Sequence, residues 1–335
     1  MMNQKILLSH GGGGRLMHGL IKDLLLKKLN NPILSELADS ALIDYKDKIA
    51  FTTDSFVVNP LSFSGGDIGK LAVCGTINDL VMSGARPEYL SLALILEEGL
   101  EIKALEKIVD SIALEAKRAG VYFVTGDLKV VERGAADKIF INTTGIGRVV
   151  KAKRLSVKNI KPDDSIIVTG EIGQHGLAVL VKRNELDMEF NIKSDCAALS
   201  DLIIPVLKQT DAIKFMRDPT RGGLATTLNE IAQSSNYGII IDEKNIPIST
   251  KVRTACELLG IDPLYVANEG RALIVVGKSS AKKVLGLLGK HPLGKNARII
   301  GKVVKTPRKS VIMNTVLGTQ RIVDMSSAEP LPRIC

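Results

Sequence analysis

The chain has 335 residues, and its 45% hydrophobic and 24% charged content is ordinary for a globular protein, which excludes disordered, collagen-like and coiled-coil classes. No apolar run approaches the roughly 18 residues of a membrane helix, and the first residues do not form a signal peptide, so we expect a cytoplasmic protein without membrane contact. The net charge of +9 comes from residues 151–335, yet only 4% of residues are aromatic and tryptophan is absent, which argues against nucleic-acid binding by base stacking.

The sequence pattern of residues 1–150 predicts alternating strands and helices. The hydrophobic pattern predicts strands over residues 6–9, 49–53, 89–96 and 121–125, with two more inside 139–149. Helical spacing covers residues 16–25, 68–83 and 102–119. The second helix contains Asn78 and Asp79, and the fourth strand is expected to end in a turn at Gly126 and Asp127.

The second half begins after a polar, lysine-rich stretch at residues 151–164, which precedes a new apolar strand over 166–169. We therefore divide the chain into domains 1–150 and 151–324 and a flexible, extended tail, 325–335. Strands outnumber those of a strict βαβ alternation, so the sequence favours an α+β fold of α/β layers over a doubly wound parallel sheet.

Three aspartates, Asp54, Asp79 and Asp127, lie near glycine and near the ends of predicted elements. Magnesium prefers a few carboxylates together with nucleotide phosphates, so the three are candidates for such a site. Lys129 follows Asp127 by two residues, which on a strand places both on one face, where the ammonium group could contact phosphate. The alternative role for each aspartate is a turn or a solvent-exposed cap.

Two glycine-rich segments are candidates for anion binding. The loop that contains His10, Gly12 and Gly13 offers backbone N–H groups ahead of a helix, although it lacks the Lys-Ser/Thr of a Walker motif and could equally be a linker. In DPTRGGL, residues 218–224, Arg221 and two glycines stand at a helix start, which fits either an anion site or a helix-entry turn.

Two residues are candidates for covalent or acid–base chemistry. Cys335 ends the sequence as an exposed thiol, and it cannot be prenylated because that motif needs three further residues; accidental placement is the alternative. The four cysteines are too dispersed to indicate a zinc site or a disulfide framework. Glu269 lies between two apolar strands beside Arg271 and could be a general base, although a surface salt bridge is the commoner role.

Motifs along the whole chain resemble those of the HypE family of hydrogenase-maturation proteins. They are HGGGG, TTDSFVVNP, GGDIGKLAVCGTINDLVMSGARP, GDLKVVERG, INTTGIG, DPTRGGLATTLNEIA and the terminal PRIC. The family belongs to the aminoimidazole ribonucleotide synthetase-like superfamily, with selenophosphate synthetase and thiamine monophosphate kinase. PRIC is specific to the subfamily. The family commonly reads G-D-T-K-V, so Leu128 replaces a threonine here and removes its hydroxyl group.

The resemblance implies a two-domain fold, a homodimer whose N-terminal domains build a shared β-barrel, and ATP bound in the cleft near that interface. It implies that the carbamoyltransferase HypF loads a carbamoyl group onto Cys335, and that ATP-dependent dehydration converts this group to a thiocyanate. The cyanide would then pass through a HypC and HypD scaffold to the iron of nickel-iron hydrogenase.

The same resemblance assigns roles to the candidate residues. Asp54, Asp79 and Asp127 would hold Mg²⁺, Lys129 would offset developing charge, and Glu269 would take the nitrogen proton. The implied contacts to ATP and its metal are His10, Gly12, Gly13, Asp54, Asn78, Asp79, Gly126, Asp127, Lys129 and Arg221.

Three other functions compete with this one. Another ATP-dependent synthetase or kinase of the superfamily would act on a free small molecule and would have no use for the terminal PRIC motif. A non-catalytic carrier would bind nucleotide only as a switch. The weakest alternative, a basic nucleic-acid module, would show salt-sensitive binding to duplex without ATP turnover.

Overall fold

The computed structural model describes residues 5–10, 19–36, 45–150, 155–183, 191–325 and 333–335, so Gly12 and Gly13 lie outside the described residues. The strands are β1 (Ile49–Phe56), β2 (Ser62–Phe63), β3 (Gly66–Asp67), β4 (Ala85–Glu97), β5 (Tyr122–Val131), β6 (Ile139–Val149), β7 (Ser165–Val168), β8 (Ile213–Arg217), β9 (Gly238–Asp242), β10 (Leu273–Val276), β11 (Arg298–Val304), β12 (Val311–Asn314) and β13 (Gln320–Ile322). The α-helices are α1 (Lys27–Leu29), α2 (Ile68–Met82), α3 (Ile102–Ala119), α4 (Gln174–Arg183), α5 (Ser200–Gln209), α6 (Gly223–Ser235), α7 (Thr250–Leu259) and α8 (Ala281–Leu288). A π-helical segment at Ile21–Leu26 leads into α1, and single 3₁₀ turns lie at Leu8–His10, Leu34–Glu36, Val157–Asn159, Glu243–Asn245, Pro263–Tyr265, Lys278–Ser280 and Pro292–Gly294.

The N-terminal domain is built on a four-stranded sheet in the order β1-β6-β4-β5. β6 pairs antiparallel with β1 and β4, whereas β4 and β5 are parallel because α3 connects them as a crossover. Helices α2 and α3 cover one face. Since side chains alternate along a strand, the other face carries the remaining residues, and it exposes large apolar side chains: Ile49, Phe51, Ile95 and Tyr122.

The C-terminal domain contains a seven-stranded sheet in the order β13-β12-β9-β11-β7-β10-β8. Neighbouring strands are antiparallel except for β12 and β9. Neighbouring residues of its central strands enter two different cores, with Ile167 and Ile274 on one side and Ile166 and Val275 on the other. The sheet is therefore a middle layer between two apolar cores, which confirms the predicted α+β architecture of α/β layers.

The strongest helix predictions agree closely with the structure. α2 and α3 match the predicted ranges 68–83 and 102–119 to within one residue at each end. α3 ends where Gly120 takes the left-handed conformation, with φ of 67°, and its N–H donates to the carbonyls of Ala116 and Lys117.

Among the described residues, no helix has both the length and the apolar character needed to span a bilayer.

Three local predictions were wrong. Residues 6–9 do not form a strand, because Leu8–His10 is a 3₁₀ turn and Lys5 makes only an isolated bridge to Glu101. Residues 139–149 form one strand, β6, rather than two. The expected turn at Gly126 is absent, because β5 continues through it to Val131.

Gly126 is required by close packing between strands rather than by a turn. A Cβ atom at this position would lie 2.6 Å from the carbonyl oxygen of Leu92 on the paired strand β4. The Cβ would be fixed to the backbone of β5 and the oxygen belongs to the backbone of β4, so the two atoms cannot move apart without disturbing the sheet.

We expect Gly126→Ala to lower the free energy of unfolding by about 2 kcal/mol, because forced overpacking costs roughly 1–3 kcal/mol. Urea denaturation measures this difference. Gly286→Ala in α8 is the matched control: a Cβ there meets no atom within 4 Å, so the helix should gain up to about 1 kcal/mol. An unchanged free energy of unfolding in Gly126→Ala would contradict the close approach of the two strands.

Candidate functional site

A cleft of about 530 Å³ lies between the N-terminal sheet with α2 and the C-terminal domain. Its size is in the range of roughly 300–1,000 Å³ typical of small-molecule sites. The charged and nucleophilic residues that line it are Asp54, Asp79, Arg217, Asp218, Arg221, Glu269 and Cys335. The structure thus brings together most of the acidic candidates with the last residue of the chain.

Asp54 and Asp79 reach the cleft from adjacent elements of the N-terminal domain. Asp54 lies on β1, and Asp79 lies on α2, where its Oδ2 accepts a 2.8 Å hydrogen bond from the Thr52 hydroxyl group. Gly75 leaves room between them, since a Cβ there would lie 2.9 Å from the Phe56 ring and 3.7 Å from Asp54 Oδ2. Burial raises the pKa of both carboxyl groups, and the charge of Asp79 raises that of Asp54 further.

Asp218 and Glu269 face the same cleft from the C-terminal domain. Burial, followed by the charge of Asp79, raises the pKa of Asp218 to about 7. Glu269 is 3% exposed, and burial, followed by Asp218 and Asp195, raises its pKa well above the ordinary range. The surface salt bridge considered for Glu269 does not form, because Arg271 pairs with Asp195 at 3.6 Å. Glu269 can accept a proton only as the carboxylate, and the raised pKa makes that ionised form a stronger base than an exposed carboxylate.

Asp195 holds the turn that carries Glu269. Its carboxylate oxygens accept hydrogen bonds from the N–H groups of Glu269 and Gly270, at 3.3 and 3.2 Å. Arg271 in turn donates to the carbonyl of Glu171 at 2.7 Å. These contacts fix the backbone at Glu269.

Asn78 joins the two domains rather than facing the cleft. Its amide nitrogen donates to the carbonyls of Ala197 and Glu269, at 3.1 and 3.2 Å, and its amide oxygen accepts from Leu199 N–H at 2.8 Å. The side chain is 2% exposed, and these three bonds engage most of its hydrogen-bonding capacity. The Asn78 side chain thus bridges the two domains next to Glu269, and its direct contact with nucleotide stays a prediction.

Cys335 lines the cleft because the end of the chain is docked there. Ile334 is 2% exposed and belongs to the main apolar core, and the Cys335 carbonyl accepts a 3.1 Å hydrogen bond from Val57 N–H. Residues 333–335 are therefore docked and Cys335 is partly buried, because burial of Ile334 outweighs the entropy of a loose end.

Asp127 and Lys129 lie on a different part of the molecule. They are on β5, at the opposite edge of the sheet from Asp54, about 14 Å away across three strand spacings. They also face the open side of the sheet, whereas Asp54 faces α2. Lys129 Nζ lies 2.7 Å from Asp127 Oδ1 and holds the pKa of this carboxyl below its usual range. Within one chain, Asp127 therefore does not join Asp54 and Asp79 around one ion.

The remaining candidates have separate environments. Arg221 lines the cleft just before α6, where Gly222 and Gly223 have φ of 71° and 61°. His10 is buried, and its Nδ1 accepts a 3.0 Å hydrogen bond from Leu7 N–H. Gly126 lies within β5, away from the cleft.

The acidic wall of the cleft fits a divalent cation. Asp54 and Asp79 provide hard oxygen ligands whose burial near other carboxyl groups is unfavourable without a positive charge. In the described part of the chain, no three His, Cys, Asp or Glu side chains converge as a complete metal site. An ion bound here would therefore take further oxygen ligands from water or phosphate, as Mg²⁺ commonly does.

Sequence reasoning missed Asp218 as a member of the site. In DPTRGGL it reads as a turn residue, and only the fold shows that it lies opposite Asp79. The signal that could have found it is its position after an apolar strand and immediately before Pro219, where a carboxyl group leaves the sheet edge.

Replacement of Asp218 is expected to stabilise the protein at high pH. The pKa of Asp218 is about 7 in the folded chain against 3.8 when unperturbed, so its favourable contribution is complete below pH 4 and is lost as pH rises through 7. The free energy of unfolding of Asp218→Asn, relative to that of wild type, should therefore rise by on the order of 1–3 kcal/mol as pH increases from 5 to 8. Urea unfolding in the presence of EDTA measures this, and a pH-independent difference would contradict it.

Both domains of the chain match known protein families. Residues 37–149 match the family "AIR synthase related protein, N-terminal domain", and residues 161–314 match the corresponding C-terminal domain. The chain is 45% identical to "Carbamoyl dehydratase HypE" from Escherichia coli strain K12, over 98% of this chain and 99% of that protein.

Two solved structures are also similar. The crystal structure of hydrogenase maturation protein HypE in complex with ATP superposes with a TM-score of 0.95 and 45% identity, over 98% of this chain and 99% of that one. The HypE–HypF complex gives a TM-score of 0.81 and 48% identity, over 92% and 99% of the chains. The chain belongs to the HypE family of AIR synthase related proteins.

Proposed function

We propose that this protein is an ATP-dependent carbamoyl dehydratase that acts on its own C-terminal residue. A carbamoyl group carried as a thiocarboxamide on Cys335 would be dehydrated to a thiocyanate, which supplies the cyanide ligand of the nickel-iron hydrogenase iron centre. The observation that carries the proposal is the presence of Cys335 and Glu269 in one cleft. An enzyme acting on a free small molecule would not need its chain end in that place.

The reaction requires transfer of a phosphoryl group and removal of protons from nitrogen. The thiocarboxamide oxygen is a poor leaving group, and ATP supplies the phosphoryl group that lets it depart as phosphate. The nitrogen loses both of its protons, one to solvent as the oxygen takes up the phosphoryl group and the C=N bond forms, and the second as phosphate departs and the C≡N bond forms. Glu269, buried and with a raised pKa, is the proposed acceptor of a nitrogen proton.

We propose Asp54 and Asp79 as the ligands of Mg²⁺ in this cleft, with Arg221 in contact with nucleotide phosphate. A relative of known structure binds ATP, according to its description. Bound Mg²⁺ would offset phosphate charge, while the two carboxylates hold it next to the terminal thiol. His10, Gly12, Gly13 and Gly126 remain predicted nucleotide contacts.

Asp127 and Lys129 are proposed to act across a homodimer. The open face of the N-terminal sheet exposes Phe51 by 67% and Tyr122 by 56%, which is unusual for large apolar side chains and fits closure against a second copy. A shared barrel would cover this face and use the two free edges, β1 and β5. Asp127 and Lys129 of one copy would then bind cation and phosphate next to the other copy.

We propose a division of labour along the chain and a set of partners. Residues 1–150 would form the dimer and bind ATP, residues 151–324 would supply Asp218, Arg221 and Glu269, and residues 325–335 would carry the thiol.

HypF would load the carbamoyl group, in line with the HypE–HypF complex known for a relative, and a HypC and HypD complex would accept the cyanide. All of these steps are proposed to take place in the cytoplasm.

Mass spectrometry tests the reaction directly. With carbamoyl phosphate, ATP and the loading transferase present, we expect a carbamoyl adduct on Cys335 that loses the mass of one water when ATP is hydrolysed. Cys256→Ser is the matched control, since it removes a thiol that is buried outside the cleft. An unmodified Cys335 under these conditions would falsify the assignment and favour an enzyme for a free small molecule.

Glu269→Gln tests the proposed base. The variant should bind ATP normally and accept the carbamoyl group, yet form the nitrile about 10²-fold more slowly, because proton transfer by a positioned group contributes roughly 10²–10⁴-fold. Single-turnover kinetics on the loaded enzyme measure the rate. Glu171→Gln, outside the cleft, is the control, and an unchanged rate in Glu269→Gln would remove this residue from the chemistry.

A further inference from the structure

Asn268 directly precedes the proposed base Glu269, and its side chain has no exposed surface. Its Nδ2 donates to the carbonyls of Pro219 and Val266, at 3.0 and 3.1 Å, and its Oδ1 accepts from Gly173 N–H at 2.7 Å. Its own backbone N–H also donates to the Pro219 carbonyl, at 3.1 Å. Both donors of the side-chain amide are therefore paired, and Asn268 joins its own loop to two other segments of the C-terminal domain.

The contact with Pro219 reaches the turn that carries Arg221 into α6. This turn packs directly on the loop of Asn268, because a Cβ atom at Gly223 would lie 2.6 Å from two carbonyl oxygens of residues 264–266. Gly223 is also in the left-handed region, with φ of 61°. Close backbone packing and the Asn268 amide therefore together hold the Arg221 turn against this loop.

Glu269 belongs to the same loop, since it is the next residue in the chain. Its N–H donates to the Asp195 carboxylate at 3.3 Å, and both Glu269 and Arg221 line the cleft. Arg221 is the proposed contact of nucleotide phosphate, and Glu269 is the proposed acceptor of a nitrogen proton. Asn268 is thus a side chain that connects the backbone segments of these two residues.

We infer that Asn268 is a positioning residue, which holds the Arg221 turn against Glu269 and so fixes the distance between the group that binds nucleotide phosphate and the group that takes a nitrogen proton. This inference rests on the proposed function, which gives those two groups their roles. Asn268 is buried next to a residue of the cleft wall, so it acts through its neighbours rather than on the substrate.

The fate of the phosphorylated thiocarboxamide depends on that distance. ATP transfers a phosphoryl group to the thiocarboxamide oxygen, leaving ADP, and one nitrogen proton passes to solvent. With Glu269 in place, the second nitrogen proton is removed, phosphate departs and the nitrile forms. With Glu269 displaced, water attacks the phosphorus atom instead, and the P–O bond breaks to return phosphate and the original thiocarboxamide, with a proton going back to nitrogen. ATP is then consumed without nitrile formation.

Asn268→Ala tests the positioning role through the amount of ADP formed per thiocyanate. The full-length protein is first carbamoylated and separated from the loading transferase, so that ADP comes from this chain alone. With ATP in excess, chromatography measures ADP and mass spectrometry measures thiocyanate on Cys335. Wild type should form equal amounts of both, and the variant roughly tenfold more ADP per thiocyanate, because a misplacement of about 1 Å can slow a step by roughly 10²-fold.

Asn229→Ala is the matched control. Asn229 is also buried, and its Nδ2 donates to the carbonyls of Ala225 and Val323, at 2.9 and 2.8 Å, outside the cleft. Loss of folded protein lowers ADP and thiocyanate together, so this variant should keep the wild-type ratio. If Asn268→Ala does not fold, Asn268→Ser, which leaves a smaller void, is held to the same expected ratio.

An unchanged ratio of ADP to thiocyanate in the Asn268 variant would overturn the positioning role and leave the proposed reaction intact, as would an equal rise in Asn229→Ala. A carbamoylated wild type that forms no thiocyanate would instead overturn the proposed reaction, and the inference with it. The two failures are distinguished by the protein in which they occur.

Discussion

The crowding of carboxyl groups in one cleft is the constraint on which the rest of the structure depends. Asp54, Asp79, Asp218 and Glu269 repel one another when ionised and lose hydration when buried, so each has a raised pKa. Such an arrangement opposes folding, and it persists because the two apolar cores outweigh it. Groups with strongly shifted pKa values in a cleft are typical of functional sites.

Regular elements hold Asp54 and Asp79 in place, and buried hydrogen bonds hold the turn at Glu269. Asp79 lies on α2. Thr76, about one turn earlier on the same helix, contacts Thr143 of β6 through their hydroxyl oxygens, which are 2.5 Å apart. Glu269 is fixed by the carboxylate of Asp195 below its backbone. Sites on well-supported helices and strands keep their geometry better than sites on free loops, and reactions between bound groups are sensitive to errors of about 1 Å.

The parts of the fold that are governed by local pattern could be predicted from the sequence. The amphipathic helix at 102–119 and its glycine stop depend on residues within a few turns, and the structure has them where expected. Gly126 was misread because a glycine needed for contact with a neighbouring strand looks the same in sequence as one needed for a turn. The separation of Asp127 from Asp54 depends on strand order and on which face each residue takes, and neither is visible locally.

Long-range contacts account for the other differences at the site. Docking of the last three residues depends on Asp137, His175 and Arg183, which are distant in sequence from the tail and carry no motif of their own. The placement of Asp218 in the cleft and of Asn78 between the domains also depends on long-range contacts, so neither could be predicted from local sequence. The sequence itself offered Cys335 and Glu269 as candidates and the family resemblance gave them roles, but only the fold shows that they share a cleft.

The Asn78 amide has a mechanical consequence. It connects α2 to two loops of the C-terminal domain through three hydrogen bonds in a buried interface, and a hinge motion that parted the domains here would break all three. Separation of the two domains at this point would leave three backbone groups of the C-terminal domain, the carbonyls of Ala197 and Glu269 and the N–H of Leu199, without their partner at the same time.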